Sequence, residues 1–409
     1  MKAFSRSSAA FSYGSVITLA CFSIQAVGVG IYISYGVFFN PLMEEFGWSR
    51  AAISGASSVA FFITGIFAIL MGRFNDRFGP RLLMSIAAVF YGLGFGLTSR
   101  VETLAGLYLV FGLVYGIGLA SIDVIALTTI TRWFSASRGK MTGLVKVGTG
   151  LGQFAFTMLA SLLIAHLGFR NAFAFMGGGA FILLLTIAQF MRRDPDVYYR
   201  SSTASSPVTG NPVQTDGLSF SDALRTKRLW LLCVANLLLV FCLLSIMVHT
   251  VAHGRDIGIA AHKAAGVLAC IGAVSMAGRF FGGLLIDRIG SKKLMVICFV
   301  LLLTSLAWLL QAYTITALYA FAVVYGIAHG GFFTAISPIT AELFGIRAHG
   351  SLFGMVVAFG TTGGALGPFF TGLVYDLSGS YTPAFWMLIV MSAIAFALIL
   401  ALRVPDRLD

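Results

Sequence analysis

The sequence predicts an all-α membrane protein: twelve transmembrane helices in two pseudo-symmetric six-helix bundles. Composition, the spacing of apolar windows and an internal repeat predict it. Of the 409 residues 58% are hydrophobic and 10% charged, and the mean hydropathy is +0.92, which excludes an ordinary soluble domain. A spanning helix needs roughly 20 mostly apolar residues. Twelve such windows can be drawn, near 14–39, 51–72, 80–98, 103–130, 141–166, 171–191, 229–253, 264–286, 294–313, 316–340, 350–375 and 382–402. The first is too long for a signal peptide, and no A-x-A-type cleavage site follows it.

Charge orients the chain. Of the 27 Lys and Arg, Arg279 and Lys146 fall deep inside windows. With both termini inside, 20 of the others gather on the cytoplasmic side, whereas Arg50, Arg100, Arg170, Arg255 and Lys263 make up the 5 outside. That asymmetry is the positive-inside pattern. The net charge of +12 is thereby explained by topology, with no nucleic-acid partner. The five cysteines all fall in windows and show neither disulfide framework nor metal spacing, so they read as small buried hydrophobes.

One long polar segment interrupts the windows. Its Ser, Thr, Pro and Gly content predicts a cytoplasmic linker over 192–228, with SFSDAL as a short amphipathic helix, between bundles at 1–191 and 229–409. The two sides repeat each other. GRFNDRFGPR from Gly72 answers GLLIDRIGSKK from Gly283, so that Gly72, Asp76, Arg77 and Gly79 match Gly283, Asp287, Arg288 and Gly290 at an offset of 211; Arg81 is among the trailing basic residues. Gly139 and Gly143 match Gly350 and Gly354 at that offset, and VYGIG at Val114 answers VYGIA at Val324. A repeat of this length marks a duplicated six-helix unit. In physical terms, Asp76 can accept hydrogen bonds from a helix N-terminus and from basic residues, while Gly72 allows close helix approach.

A glycine, an Asp-Arg-x-Gly and trailing basic residues after the second span, repeated after the eighth, resemble the cytoplasmic loop motif of the major facilitator superfamily. The resemblance implies a transporter whose Asp76 and Asp287 loops hold a cytoplasmic gate shut. Within that superfamily, ISYGVFFNPLMEEFGWSRA from Ile33, TRWFSASRGKMTGL from Thr131 and FSDALRTKRLWLL from Phe220 resemble the monocarboxylate transporter and oxalate/formate antiporter group, here as a bacterial homologue placed in the inner membrane.

The resemblance implies that the span-eight arginine, Arg279 here, binds the substrate carboxylate. Independently, Arg279 lies eight residues before Asp287, roughly 12 Å along a helix, near the midplane of a core about 30 Å thick. An arginine at that depth faces a water-filled cavity or a counter-ion. Its planar guanidinium can grip a carboxylate through two parallel hydrogen bonds; a structural ion pair is the competing reading. The equivalent first-half position is Ala68. Oxalate-type relatives add a lysine in span eleven where this chain reads about Val356, leaving one cation for one carboxylate and favouring a small monoanion such as lactate or pyruvate. Animal relatives also carry a span-one lysine and an aspartate one turn before the arginine, where this chain has about Ile33 and Ser275, so proton coupling is not carried over by those groups.

The remaining candidates are single residues. Asp123 and Lys146 are intramembrane charges that fit a mutual ion pair or a role in substrate or proton handling. Asp256, after span seven, is either a solvated loop charge or an outer carboxylate that relays protons. His329, His249 and His253 could titrate near neutral pH or simply pack. Tyr115 and Tyr325 occupy equivalent places in spans that line the superfamily's central cavity; Phe332 and Phe359 could wall it, and Tyr32 and Tyr35 share one face of span one. GTTGGALGP from Gly360 reads as close packing and a bend rather than a nucleotide loop.

The expected function is proton symport of a small monocarboxylate by alternating access, the expected partners being the anion, the proton and the bilayer. The alternative is anion exchange or dicarboxylate transport, and a remote one is a non-transporting receptor. No nucleophile–base pair or metal cluster points to an enzyme, no cofactor is expected, and nothing calls for a partner chain, so a monomer is expected.

Overall fold

The computed structural model describes residues 3–195 and 217–404. Most of the expected 192–228 linker, with Arg200, lies outside them, as do Lys2 and Arg407. Eleven helices are long and apolar enough to cross a membrane among the described residues. They are α1 (Tyr13–Phe46), α2 (Arg50–Phe78), α3 (Pro80–Arg100), α4 (Leu104–Trp133), a continuous Arg138–Phe190, α7 (Lys227–Asp256), α8 (Lys263–Ile289), α9 (Ser291–Leu309), α10 (Ile315–Phe344), α11 (His349–Ser378) and α12 (Tyr381–Ala401). A straight helix of 53 residues would run about 80 Å, far beyond a bilayer core. Gly168, at φ 77° and ψ 160°, breaks it into α5 (138–167) and α6 (169–190), giving the expected twelve spans.

Lipid-facing and packed faces separate as helical geometry requires. On α2, Phe62, Ile66, Leu70, Phe74 and Phe78 recur every four residues and are exposed, whereas Ala56, Ala60 and Ala68 are fully buried. Small residues on the inner face let backbones approach, since apolar burial itself gives little drive for helices to associate in lipid. In α4 the stretch Tyr108–Tyr115 is a wide π-helical segment, which its counterpart in α10 does not repeat. Phe220–Leu224 forms the expected short helix. Just before it, Leu218 N–H donates to the Phe344 carbonyl at 2.9 Å.

The chain divides into two compact units. One holds Met1–Ser137, Gly148–Ser219 and Phe344–Gly354; the other holds Arg138–Val147, Phe220–Leu343 and Met355–Asp409. The first turns of α5 thus belong with the second-half helices, and those of α11 with the first-half helices.

Candidate functional site

The repeated motif builds the same structure in each unit. Asp76, at the end of α2, accepts from the Gly350 N–H at 3.0 Å, the Ser351 N–H at 2.8 Å and the Ser351 hydroxyl at 2.8 Å. Asp287, at the end of α8, accepts from the Gly139 N–H at 2.7 Å and the Lys140 N–H at 3.0 Å. Gly139 and Lys140 stand to Gly350 and Ser351 at the 211 offset. Each aspartate therefore caps the first turn of a helix from the other half of the sequence, placing negative charge on unpaired N–H groups at the positive end of the dipole. Ser137, the residue that would ordinarily cap α5, makes no such bond with its side chain.

The motif glycines are explained by the same contacts. A Cβ on Gly72 would collide with the Gly350 carbonyl, and one on Gly283 would lie 2.5 Å from the Gly139 carbonyl oxygen. Gly79 (φ 84°, ψ 167°) and Gly290 (φ 87°, ψ 156°) sharply end α2 and α8 in a conformation that a side chain would strain. The basic residues after them tie the next helix to the last of its half. Arg81 donates twice to Gln189 Oε1, at 3.1 and 2.8 Å, and Lys292 donates to the Leu400 carbonyl at 3.1 Å and to that of Leu402 at 2.5 Å. Arg77 and Arg288 are exposed; Arg77 lies over the Phe78 ring at 5.2 Å.

One cation breaks the symmetry at this end. Arg132 donates to Asp76 Oδ1 at 2.8 Å and reaches Asp194 at 3.4 Å. In the other half Glu342 instead accepts from the Ser291 N–H at 3.2 Å and its hydroxyl at 2.7 Å. Neither partner stands out in the sequence, because Arg132 is one of many basic residues expected on the cytoplasmic side and Ser351 carries no charge.

Arg279 sits two turns further along α8. Its Nη1 donates to the Lys146 carbonyl at 3.1 Å, and its own carbonyl lies 2.5 Å from where a Cβ on Gly143 would stand. In the first unit the Ala68 carbonyl meets Gly354 in the same way. The backbones thus obey the repeat, and only the second half adds a guanidinium. Residues two apart on a helix point roughly 200° apart. Phe281, exposed, lines an apolar groove of about 390 Å³ with Leu285, Ile297 and Ile327, so Arg279 is on the side of α8 away from that outer face. Ser275, one turn before it, is buried and meets His329 Nδ1 at 3.2 Å. Thr334 Oγ1 donates to the Arg279 carbonyl at 3.3 Å.

The other charged candidates stand on separate helices. Asp123, in the first unit, accepts from Gln25 Nε2 at 2.9 Å, a partner the sequence did not suggest. Lys146, in the second, is buried. Asp256 is exposed at the end of α7. Val356 is fully buried and its carbonyl accepts from Asn236 at 2.8 Å.

The aromatic candidates are buried or half-buried. Tyr115 is fully buried and donates to Tyr91, whose hydroxyl is in turn bonded to the Gly28 carbonyl at 2.6 Å. Tyr325, equally buried, donates to the Leu243 carbonyl at 2.7 Å. Tyr35 stacks on Phe111 at 3.9 Å and donates to the Ile53 carbonyl at 3.2 Å. Phe332 is buried edge-on to Phe299. Tyr32, between Phe61 and Tyr115, and Phe359, beside Trp230, are half-buried. Among the described residues, no group of three or more His, Cys, Asp or Glu side chains is placed to hold a metal ion.

Comparison with known proteins agrees with this architecture. The Major Facilitator Superfamily profile matches residues 18–279 and 244–409. The chain is 28% identical to monocarboxylate transporter 13 of Bos taurus over 91% of its own length and 85% of the relative's. It is 29% identical to the oxalate:formate antiporter of Oxalobacter formigenes, over 90% and 86%. Among solved structures, a proton:xylose symporter of the superfamily bound to 6-bromo-6-deoxy-D-glucose superposes with a TM-score of 0.74 at 16% identity, covering 96% of each chain.

Proposed function

The chain belongs to the major facilitator superfamily of multi-pass membrane transporters, and from that premise we propose that it carries a small monocarboxylate of the lactate or pyruvate kind by proton symport through alternating access. The observation that carries the reading is Arg279. It is an arginine deep in a spanning helix, turned from the apolar outer face, in a backbone setting whose repeat-mate Ala68 has no charge. Such a group is expensive in a membrane and fits an anion. The relatives named for monocarboxylate, oxalate and formate transport support the substrate class.

One carboxylate is favoured over two because the region in which oxalate-type relatives add a lysine reads here about Val356, which is buried. In the proposed cycle the bundles at 1–191 and 229–409 rock around the anion site. In that cycle the capped turns at Asp76 and Asp287 latch the cytoplasmic gate in the outward-facing state and release it in the inward-facing one. Asp256, Asp123, His329 and Lys146 are the candidate proton carriers, and proton and anion must favour the same occluded state.

Uptake of labelled lactate into proteoliposomes tests the reading. An inside-alkaline gradient should drive accumulation, and pyruvate should compete better than oxalate. Accumulation indifferent to the gradient would exclude symport. The 29% identity to an antiporter favours exchange as the second reading, which counterflow without any gradient would then support. Better competition by oxalate would remove the one-cation argument. Binding without transport in sealed vesicles would indicate a receptor.

A further inference from the structure

We infer that His329 is the proton-carrying group, coupled to the anion through its contact with Ser275, one helical turn from Arg279. The inference rests on the symport reading and assigns the residue that this reading leaves open.

The placement comes from the crossing of α8 and α10. Gly330 fits directly against the Ser275 carbonyl, and a Cβ there would stand 2.7 Å from the Arg279 nitrogen. A Cβ on Gly278 would stand 2.7 Å from the Ile327 carbonyl oxygen. This close approach brings the adjoining His329 ring to the Ser275 hydroxyl, at 3.2 Å. Ser275 and Arg279, four apart, share one face of α8. Around the ring, α8 contributes Arg279, whose Nη1 donates to the Lys146 backbone carbonyl of α5. Within α10 the ring neighbours Tyr325 at 5.9 Å and Phe333 at 5.0 Å.

Hydrogen bonding suits the ring to both protonation states. A serine hydroxyl donates to a bare Nδ1 and accepts from a protonated one, so the Ser275 contact survives gain or loss of a proton. His249 differs. Its Nε2 faces the Pro368 carbonyl at 2.9 Å and its Nδ1 the Tyr381 hydroxyl at 3.0 Å, which commits the ring to holding α7 against α11 and α12. Asp256 is exposed at a helix end.

Electrostatics supplies the coupling. Two positive charges on one small site repel strongly where water is scarce. A carboxylate bound to Arg279 cancels the first charge and lowers the cost of the second on the buried ring, so anion and proton each favour the other's binding. The loaded site then carries the charge it had when empty plus one neutral pair.

The test compares wild type with His329→Asn and His329→Gln, whose amides can still meet Ser275. Wild type must first show gradient-driven lactate accumulation; if it does not, the symport reading fails and the variants are not needed to show it. Given that, both amide variants should keep lactate counterflow within about threefold of wild type while gradient-driven accumulation falls at least about tenfold. Purified wild type should take up a proton on binding lactate, and the variants should bind lactate without it. Retained accumulation, or retained proton uptake, in either variant would overturn the assignment. Loss of counterflow in both would overturn it as well, because His329 is given no contact with the anion.

Discussion

The backbone N–H of Gly139 donates to Asp287 at 2.7 Å, so the first turn of α5 is capped by a carboxylate that α8 provides. Its counterpart from Gly350 to Asp76 is joined by the Ser351 hydroxyl and by Arg132, whose side chain is almost fully buried. Removing charge from a helix N-terminus costs about 1 kcal/mol, whereas breaking a largely buried ion pair costs roughly 3 kcal/mol or more. Asp76→Asn should therefore lower the melting temperature of the purified protein clearly more than Asp287→Asn does. Equal losses, or the reverse order, would mean that Arg132 adds nothing to the cap.

Gly79 and Gly290 occupy the same left-handed backbone conformation at equivalent places. An alanine at each should cost about 1–2 kcal/mol through strain alone, and the two losses should match. Thermal unfolding of Gly79→Ala and Gly290→Ala reads this directly. A harmless alanine at either position would show that the sharp turn is not needed there.

Tyr115 and Tyr325 spend their hydroxyls on Tyr91 and on the Leu243 carbonyl. Their phenylalanine variants should lose about 1 kcal/mol of stability each, with the transport KM unchanged. A several-fold rise in KM in either would return that tyrosine to the substrate cavity.

The sequence exposed the fold because a bilayer imposes long apolar helices, and because the loop motif is written twice at a constant offset. It exposed Asp76 and Asp287 for the same reason. It could not reveal their partners. The N–H groups of Gly139, Lys140, Gly350 and Ser351 are backbone donors with no residue signature, and the pairs meet only because segments distant in the chain pack together. Arg279 was legible because a charge in an apolar window is costly whatever it touches. The Ser275–His329 contact was not: helix crossing at Gly330, rather than any spacing along one helix, creates it. The paired tyrosines gave a weaker signal, since matched positions in a repeat mark shared packing as readily as a shared cavity.

The central claim is that Arg279 grips the substrate carboxylate with its planar fork. Transport by Arg279→Lys tests it most directly, because the charge stays and only the paired hydrogen bonds are lost. Uptake of labelled lactate should show KM raised by about 10- to 100-fold, corresponding to roughly 1.4–2.7 kcal/mol. Wild-type KM and rate in that variant would contradict the claim and make Arg279 a structural charge.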